Sequence, residues 1–143
     1  MIKSMDHFAL GVSDMERSLG FYRDVFGMEV VADLDLSDGS IGKIIGTEGA
    51  KCRIVHLKLG QAVLELFQYS QPVGENKASQ MQQFDHGLIH IGFSVDNFHE
   101  HVAQLKEMGV EFLGEPVEFQ PGVWVLYFRG PDGEVCEFMQ APE

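Results

Sequence analysis

The chain has 143 residues, 45% of them apolar, and carries 22 acidic against 10 basic side chains, a formal charge of −12. That apolar share belongs to a folded globular chain rather than a disordered acidic tail. The length fits one domain, or two half-size modules sharing a core. The negative charge argues against a nucleic-acid partner and against a polybasic membrane anchor, because both need basic patches. Two cysteines, Cys52 and Cys136, make no disulfide framework; each lies in an apolar strand-like run, which predicts buried free thiols. The first residues hold no long apolar stretch after a basic start, and no run of about 18 apolar residues occurs. Neither a signal peptide nor a membrane helix is expected, and the cytoplasm is the default location.

His7 to Val12 alternates apolar and small or polar residues with the period of a strand. Ser13 and Glu16 follow at capping-box spacing. Leu19, Tyr22, Val25 and Phe26 then recur at helical intervals, and Gly27 stands where a helix C-terminus would place it. Residues 28–36 return to a strand-like pattern, and residues 37–50, with four glycines, predict a long loop over the first sheet. Residues 52–59, Gly60-Gln61 and residues 62–69 read as a hairpin with a two-residue turn. Residues 70–87 are polar, with Pro72, Gly74, Asn76 and several glutamines, and predict a linker.

The same order begins again at His90. His90 to Val95 alternates, Asn97 to Glu100 repeats the capping-box spacing, Val102, Leu105 and Met108 form a helical stripe, and Gly109 closes it. His7 to Gly27 spans 20 positions and His90 to Gly109 spans 19. Residues 110–119 predict the next extended run, and residues 123–129 and 134–140, joined by Gly130-Pro131-Asp132-Gly133, a second hairpin. The chain is therefore expected to be α+β, with two βαβββ modules forming a cup-shaped mixed sheet. Module 1 would cover 5–69, the linker 70–87 and module 2 residues 88–140, within one domain.

Alternation assigns the faces. Phe8, Leu10 and Val12, and in the second module Ile91, Phe93 and Val95, should pack on the helices. His7 and His90 then share the opposite faces with small residues, Ala9 and Gly11 or Gly92 and Ser94, which leaves room above the sheet. In the final strands Glu65 and Glu137 each stand inside an apolar run, where burying a lone carboxylate costs on the order of several kcal/mol. Each taken singly is more often a hydrogen-bonded or edge residue than a ligand. Matched positions in both modules change that reading: two imidazoles and two carboxylates suit a divalent first-row metal with open positions. Calcium favours oxygen ligands alone, and a closed zinc site more cysteine. A two-residue turn at Gly60-Gln61 would pair position 59 with 62 and position 56 with 65. That sets His56 beside Glu65 as an acid/base group or a support to the ligand.

These residues carry a resemblance. Met5 to Val12, Phe21-Tyr22-Arg23-Asp24-Val25-Phe26-Gly27-Met28, His90 to Val95, and Tyr127 to Gly133 with Glu137 resemble the vicinal oxygen chelate superfamily. This is also called the glyoxalase/bleomycin-resistance/dioxygenase superfamily, and the likeness runs from about Met5 to Gln140. The resemblance implies metal ligands at His7, Glu65, His90 and Glu137, the two-His, two-Glu set of a glyoxalase I-like site. It also implies one divalent metal per site (nickel, zinc, iron, manganese or cobalt). The implied activity is that of a lyase or isomerase of the lactoylglutathione lyase type. There the metal chelates vicinal oxygens of a small substrate and stabilises an enediolate, while Glu137 or Glu65 moves the proton. Tyr127 is a candidate donor to a substrate oxygen, and Arg53 and Arg129 are candidate carboxylate anchors. Trp124 and Phe67 are candidate pocket walls.

Short bacterial glyoxalase I carries Arg four residues after its first His and Asn four after its first Glu, where this chain has Gly11 and Tyr69; the substrate stays open. The alternatives are an extradiol-type ring-cleaving dioxygenase, which would use two His and one Glu, and a non-catalytic drug-binding protein of the same superfamily. The resemblance further implies a homodimer.

Overall fold

The computed structural model describes all 143 residues, and they separate into two compact units, Met1–Glu75 and Asn76–Glu143. The first holds strand β1 (Phe8–Gly11), helix α1 (Met15–Leu19) continuing as a π-helical segment (Gly20–Val25), β2 (Glu29–Leu36), helix α2 (Ser40–Ile45), β3 (Lys51–Leu59) and β4 (Ala62–Gln71). The second holds a 3-10 turn (Ala78–Gln80), β5 (Ile91–Ser94), α3 (Phe98–Glu107), β6 (Val117–Gln120), β7 (Val123–Arg129) and β8 (Val135–Gln140). Each unit forms one four-stranded mixed sheet, in the orders β1-β4-β3-β2 and β5-β8-β7-β6. The first strand of each pairs parallel to the last, and the other pairings are antiparallel. This is the α+β, twice-repeated βαβββ architecture expected from the sequence.

The one-residue difference between the repeats has a local cause. The helix caps, Asp14 and Asn97, lie seven positions after His7 and His90, so the additional residue falls inside the first helix. There the backbone widens into the π-helical segment, whose turn holds one more residue than an α turn. Gly27 and Gly109 close the two helices at φ of 74° and 72°, left-handed values that glycine adopts without steric cost.

The helices cover one face of each sheet. Met15, Leu19 and Tyr22 are buried in the first unit along with Val55, Leu57, Leu64 and Leu66. In the second, Phe98, Val102 and Leu105 are buried along with Leu126, Phe128 and Phe138. Both cysteines are buried free thiols.

Several expectations need correction. Residues 37–50 are not all loop: α2 forms between Gly39 and Gly46, both left-handed, and Ile41 packs with Ala50, Cys52 and Ile54. Of its isoleucines only Ile41 finds a partner in the sheet, while Ile44 and Ile45 stay exposed. Residues 110–119 are not one extended run. Only Val117–Gln120 forms a strand, preceded by an isolated bridge at Phe112, because Gly114 and Pro116 interrupt the ladder. Helix α1 is capped by Asp14, whose carboxylate accepts from the Arg17 N–H at 3.1 Å, while Ser13 accepts from the Arg17 guanidinium. Phe8 is 47% exposed rather than packed under a helix, since β1 is the edge of its sheet.

A second contact repeats between the units. Gln68 Oε1 accepts from the Met15 N–H, and Gln140 Oε1 from the Phe98 N–H, both at 2.7 Å. Each glutamine follows its module's glutamate by three residues. It therefore projects from the opposite face of the same strand and holds the first N–H of the covering helix.

Candidate metal and acid–base sites

In the first unit the two-residue turn at Gly60-Gln61 sets the register. Leu59 pairs with Ala62 and His56 with Glu65, so His56 and Glu65 share a face. His56 Nε2 stands 3.1 Å from Glu65 Oε1, and His7 Nε2 stands 3.4 Å from Glu65 Oε2. The Glu65 side chain is only 12% exposed, yet both of its oxygens face imidazole nitrogens. Ala9, opposite Glu65 on β1, adds no bulk over it.

The second unit repeats this with one change. His90 Nε2 stands 3.2 Å from Glu137 Oε2, and the Glu137 side chain is 16% exposed. Gly92 lies opposite Glu137, and a Cβ there would come within 3.2 Å of Glu137 Oε2. Across the hairpin, the position that His56 holds against Glu65 belongs to Tyr127 against Glu137. The Tyr127 ring lies over His90, with centroids 4.9 Å apart. Burial first, and the Glu137 charge second, push the Tyr127 phenol above its ordinary range, so it stays protonated and able to donate.

Each ligand-type histidine has its other nitrogen occupied. His7 Nδ1 donates to Asp6 Oδ2 at 2.8 Å. This hydrogen bond raises the His7 pKa most, burial opposes it, and the Glu65 charge adds to the rise. His90 Nδ1 lies 2.9 Å from Gln83 Oε1, while Gln83 Nε2 donates to the Ile89 carbonyl at 2.7 Å. With the amide so oriented, Gln83 accepts and His90 donates. In the neutral form of either ring, Nε2 would then present a lone pair to a carboxylate oxygen at 3.4 or 3.2 Å. Two acceptors at that separation need a proton or a cation between them. This nitrogen–oxygen donor set fits a divalent first-row metal. Neither unit by itself gathers three His, Cys, Asp or Glu side chains at metal-holding spacing; each offers one His–Glu pair with its supports.

The other candidates are placed elsewhere. Arg53 is no free anchor: it pairs with Asp33 at 2.8 Å and Glu16 at 2.6 Å, tying β2 and β3 to α1. Arg129 donates to the Gly133 carbonyl inside the β7–β8 turn. Trp124 packs against Phe98 and His99 of α3, on the face away from Glu137, so it is helix packing rather than a wall beside the carboxylate. Phe67 shares the Glu65 face and stacks on Tyr69, centroids 6.2 Å apart, against the Ile41 cluster. The residues missed by sequence reasoning are Asp6, Gln83, Gln68 and Gln140. The paired glutamines carried a readable signal, Glu-x-x-Gln in both last strands. Gln83 carried none among its neighbouring glutamines.

Residues 4–138 match the family model of the Glyoxalase/Bleomycin resistance protein/Dioxygenase superfamily. The mitochondrial methylmalonyl-CoA epimerase of Bos taurus is 27% identical over 96% of this chain and 74% of its own length. A lactoylglutathione lyase of Neisseria meningitidis is 27% identical over 94% of this chain and 88% of its own. The fold matches the crystal structure of a glyoxalase family protein from Bacillus cereus with a TM-score of 0.90, at 19% identity, covering 98% of this chain and 95% of that one. With its repeated strand order and this family match over nearly its whole length, the chain belongs to the glyoxalase/bleomycin resistance protein/dioxygenase superfamily.

Proposed function

We propose that the protein is a metal-dependent lyase or isomerase that moves a proton on a small substrate bearing adjacent oxygens. The metal would be held by His7, Glu65, His90 and Glu137. The observation that carries this reading is the repeated pair. In each module an imidazole Nε2 faces a largely buried carboxylate, with the far imidazole nitrogen already committed. When bound, a divalent ion supplies Lewis-acid stabilisation of negative charge on the substrate oxygens.

The two carboxylates would differ in role. Glu65 has Oε1 beside His56 and Oε2 facing His7, so neither oxygen is left for a proton on substrate, which suits a fixed ligand. Glu137 has Oε2 facing His90 and close to Gly92, on the side the metal would take, while Oε1 is left to take a proton from the carbon beside a carbonyl and return it. Tyr127, protonated and next to that carboxylate, would donate to a substrate oxygen. His56 would hold Glu65 in place and, with its own proton, serve a second transfer. The same reading takes the working assembly as a cytoplasmic homodimer.

The test begins with metal analysis of the purified protein and thermal unfolding with added nickel, zinc, iron, manganese or cobalt. A ligand at 100 times its Kd stabilises by about 2.7 kcal/mol, a readable rise in Tm. Absence of bound metal, together with no Tm gain from any of these ions, would overturn the reading. On the best metal form, exchange of a substrate C–H with deuterated solvent is the expected signature. The methylglyoxal–glutathione hemithioacetal and an acyl-CoA with an acidic α-carbon then distinguish lyase from epimerase chemistry. Oxygen consumption with catechols, without that exchange, would replace this reading by ring cleavage.

A further inference from the structure

We propose that Gln83 is a positioning residue for His90, so that the polar segment before β5 is a working part of the second module's site. The inference rests on the reading of His90 as a metal ligand. The geometry supplies the argument. Gln83 closes a small ring of contacts: its Nε2 donates to the Ile89 carbonyl at 2.7 Å, and its Oε1 faces His90 Nδ1 at 2.9 Å. The first contact fixes which end of the amide meets the imidazole, because only the oxygen is then left for Nδ1. An accepting oxygen there requires the His90 proton on Nδ1, and it leaves the Nε2 lone pair directed at the Glu137 side, 3.2 Å from Oε2. Tyr127 packs against the ring at a 31° tilt, a ring-to-ring contact that leaves the Gln83 bond in place.

The same task in the first module falls to Asp6, directly before His7. The acceptor is thus preserved in function while its chemistry and its position in the chain differ. In module 1 it is a charged carboxylate on the adjacent residue, and in module 2 a neutral amide seven residues away. A histidine whose tautomer and ring angle are set by a second acceptor binds a metal more tightly than one left to choose, commonly by about 10–100-fold.

The test uses the full chain with 15N-labelled histidine, read by long-range proton–nitrogen correlation at pH 8, alongside zinc titration. Variants are Gln83→Ala, Gln83→Met (similar length, no acceptor) and Gln83→Glu (acceptor kept). In the wild type His90 is expected to keep a proton on Nδ1, shared with Gln83 Oε1. Gln83→Ala and Gln83→Met should shift His90 toward the Nε2-protonated form and weaken zinc binding at least tenfold, while His7 keeps its tautomer. Gln83→Glu should restore both. His7 serves as the internal reference for folding, so a variant that misfolds is recognised and the other two decide. An unchanged His90 tautomer in Ala and Met variants overturns the proposal, whatever zinc does. A changed tautomer in a protein whose wild type binds no zinc overturns the metal reading and supports the Gln83 contact.

Discussion

Replacing Gln68 or Gln140 by alanine should destabilise the fold by about 1–2 kcal/mol each, a value set by what each amide oxygen holds. Gln68 accepts from the Met15 N–H and Gln140 from the Phe98 N–H, each at 2.7 Å, and both helix residues are 1% exposed. Water therefore reaches the freed N–H poorly. A buried donor left without an acceptor costs about 1–3 kcal/mol, and loss of a helix cap about 1 kcal/mol. The glutamines share no partner, so the double variant should lose the sum to within about 0.5 kcal/mol. Urea unfolding should show the lower midpoint at unchanged m-value, with Tm falling by about 3 °C per kcal/mol. Glutamate at either position keeps the acceptor and places negative charge at a helix N-terminus, so Gln68→Glu and Gln140→Glu should match or slightly exceed wild type. If both alanine variants unfold within about 0.5 kcal/mol of wild type, below the range for a lost cap, the strand–helix tie has no energetic weight and the reasoning fails.

Gly133→Ala should cost about 2–5 kcal/mol, because φ is 85° and the new Cβ would meet Ser79 Cβ at 2.7 Å. Gly60→Ala, at φ 58° with open space around it, should cost only about 1–2 kcal/mol in the same urea assay. Gly92→Ala should leave the fold near wild-type stability and weaken metal binding in calorimetric titration, because the added methyl presses on Glu137 Oε2 from 3.2 Å. Its counterpart Ala9→Gly should leave binding unchanged. The Arg53 hydrogen bond holds the Asp33 carboxyl below its ordinary range against the opposing effect of burial. The pair's contribution to stability is therefore present above the unfolded carboxylate pKa and lost as pH falls through the depressed one. Both side chains are partly exposed, so the effect is small and salt-sensitive. Unfolding midpoints measured from pH 6 to pH 2.5 (about the carboxylate range) should fall less steeply in Arg53→Met than in wild type.

The parts legible in the sequence are those in which local chemistry leaves one choice. Gly60-Gln61 admits a two-residue turn, and that turn alone aligned His56 with Glu65. The near-equal spans from His7 to Gly27 and from His90 to Gly109 exposed the two modules. Helix α2 was hidden because it is short, glycine-flanked and anchored by one buried side chain, Ile41, with Ile44 and Ile45 exposed, so no amphipathic stripe marks it. The ion pairs of Arg53 and the Gln83 contact with His90 depend on loops and packing that no periodicity encodes.

Positions 56 and 127 occupy the same place in the two hairpins, yet one is histidine and the other tyrosine. An assembly of two identical half-length chains would be bound by symmetry to place the same side chain at both. Tandem fusion removes that obligation. Each half becomes free to drift at a single site while its twin preserves the framework, so a duplicated scaffold acquires a handedness of chemistry that its backbone lacks. One glutamate is braced by a second imidazole, and the other is neighboured by a phenol.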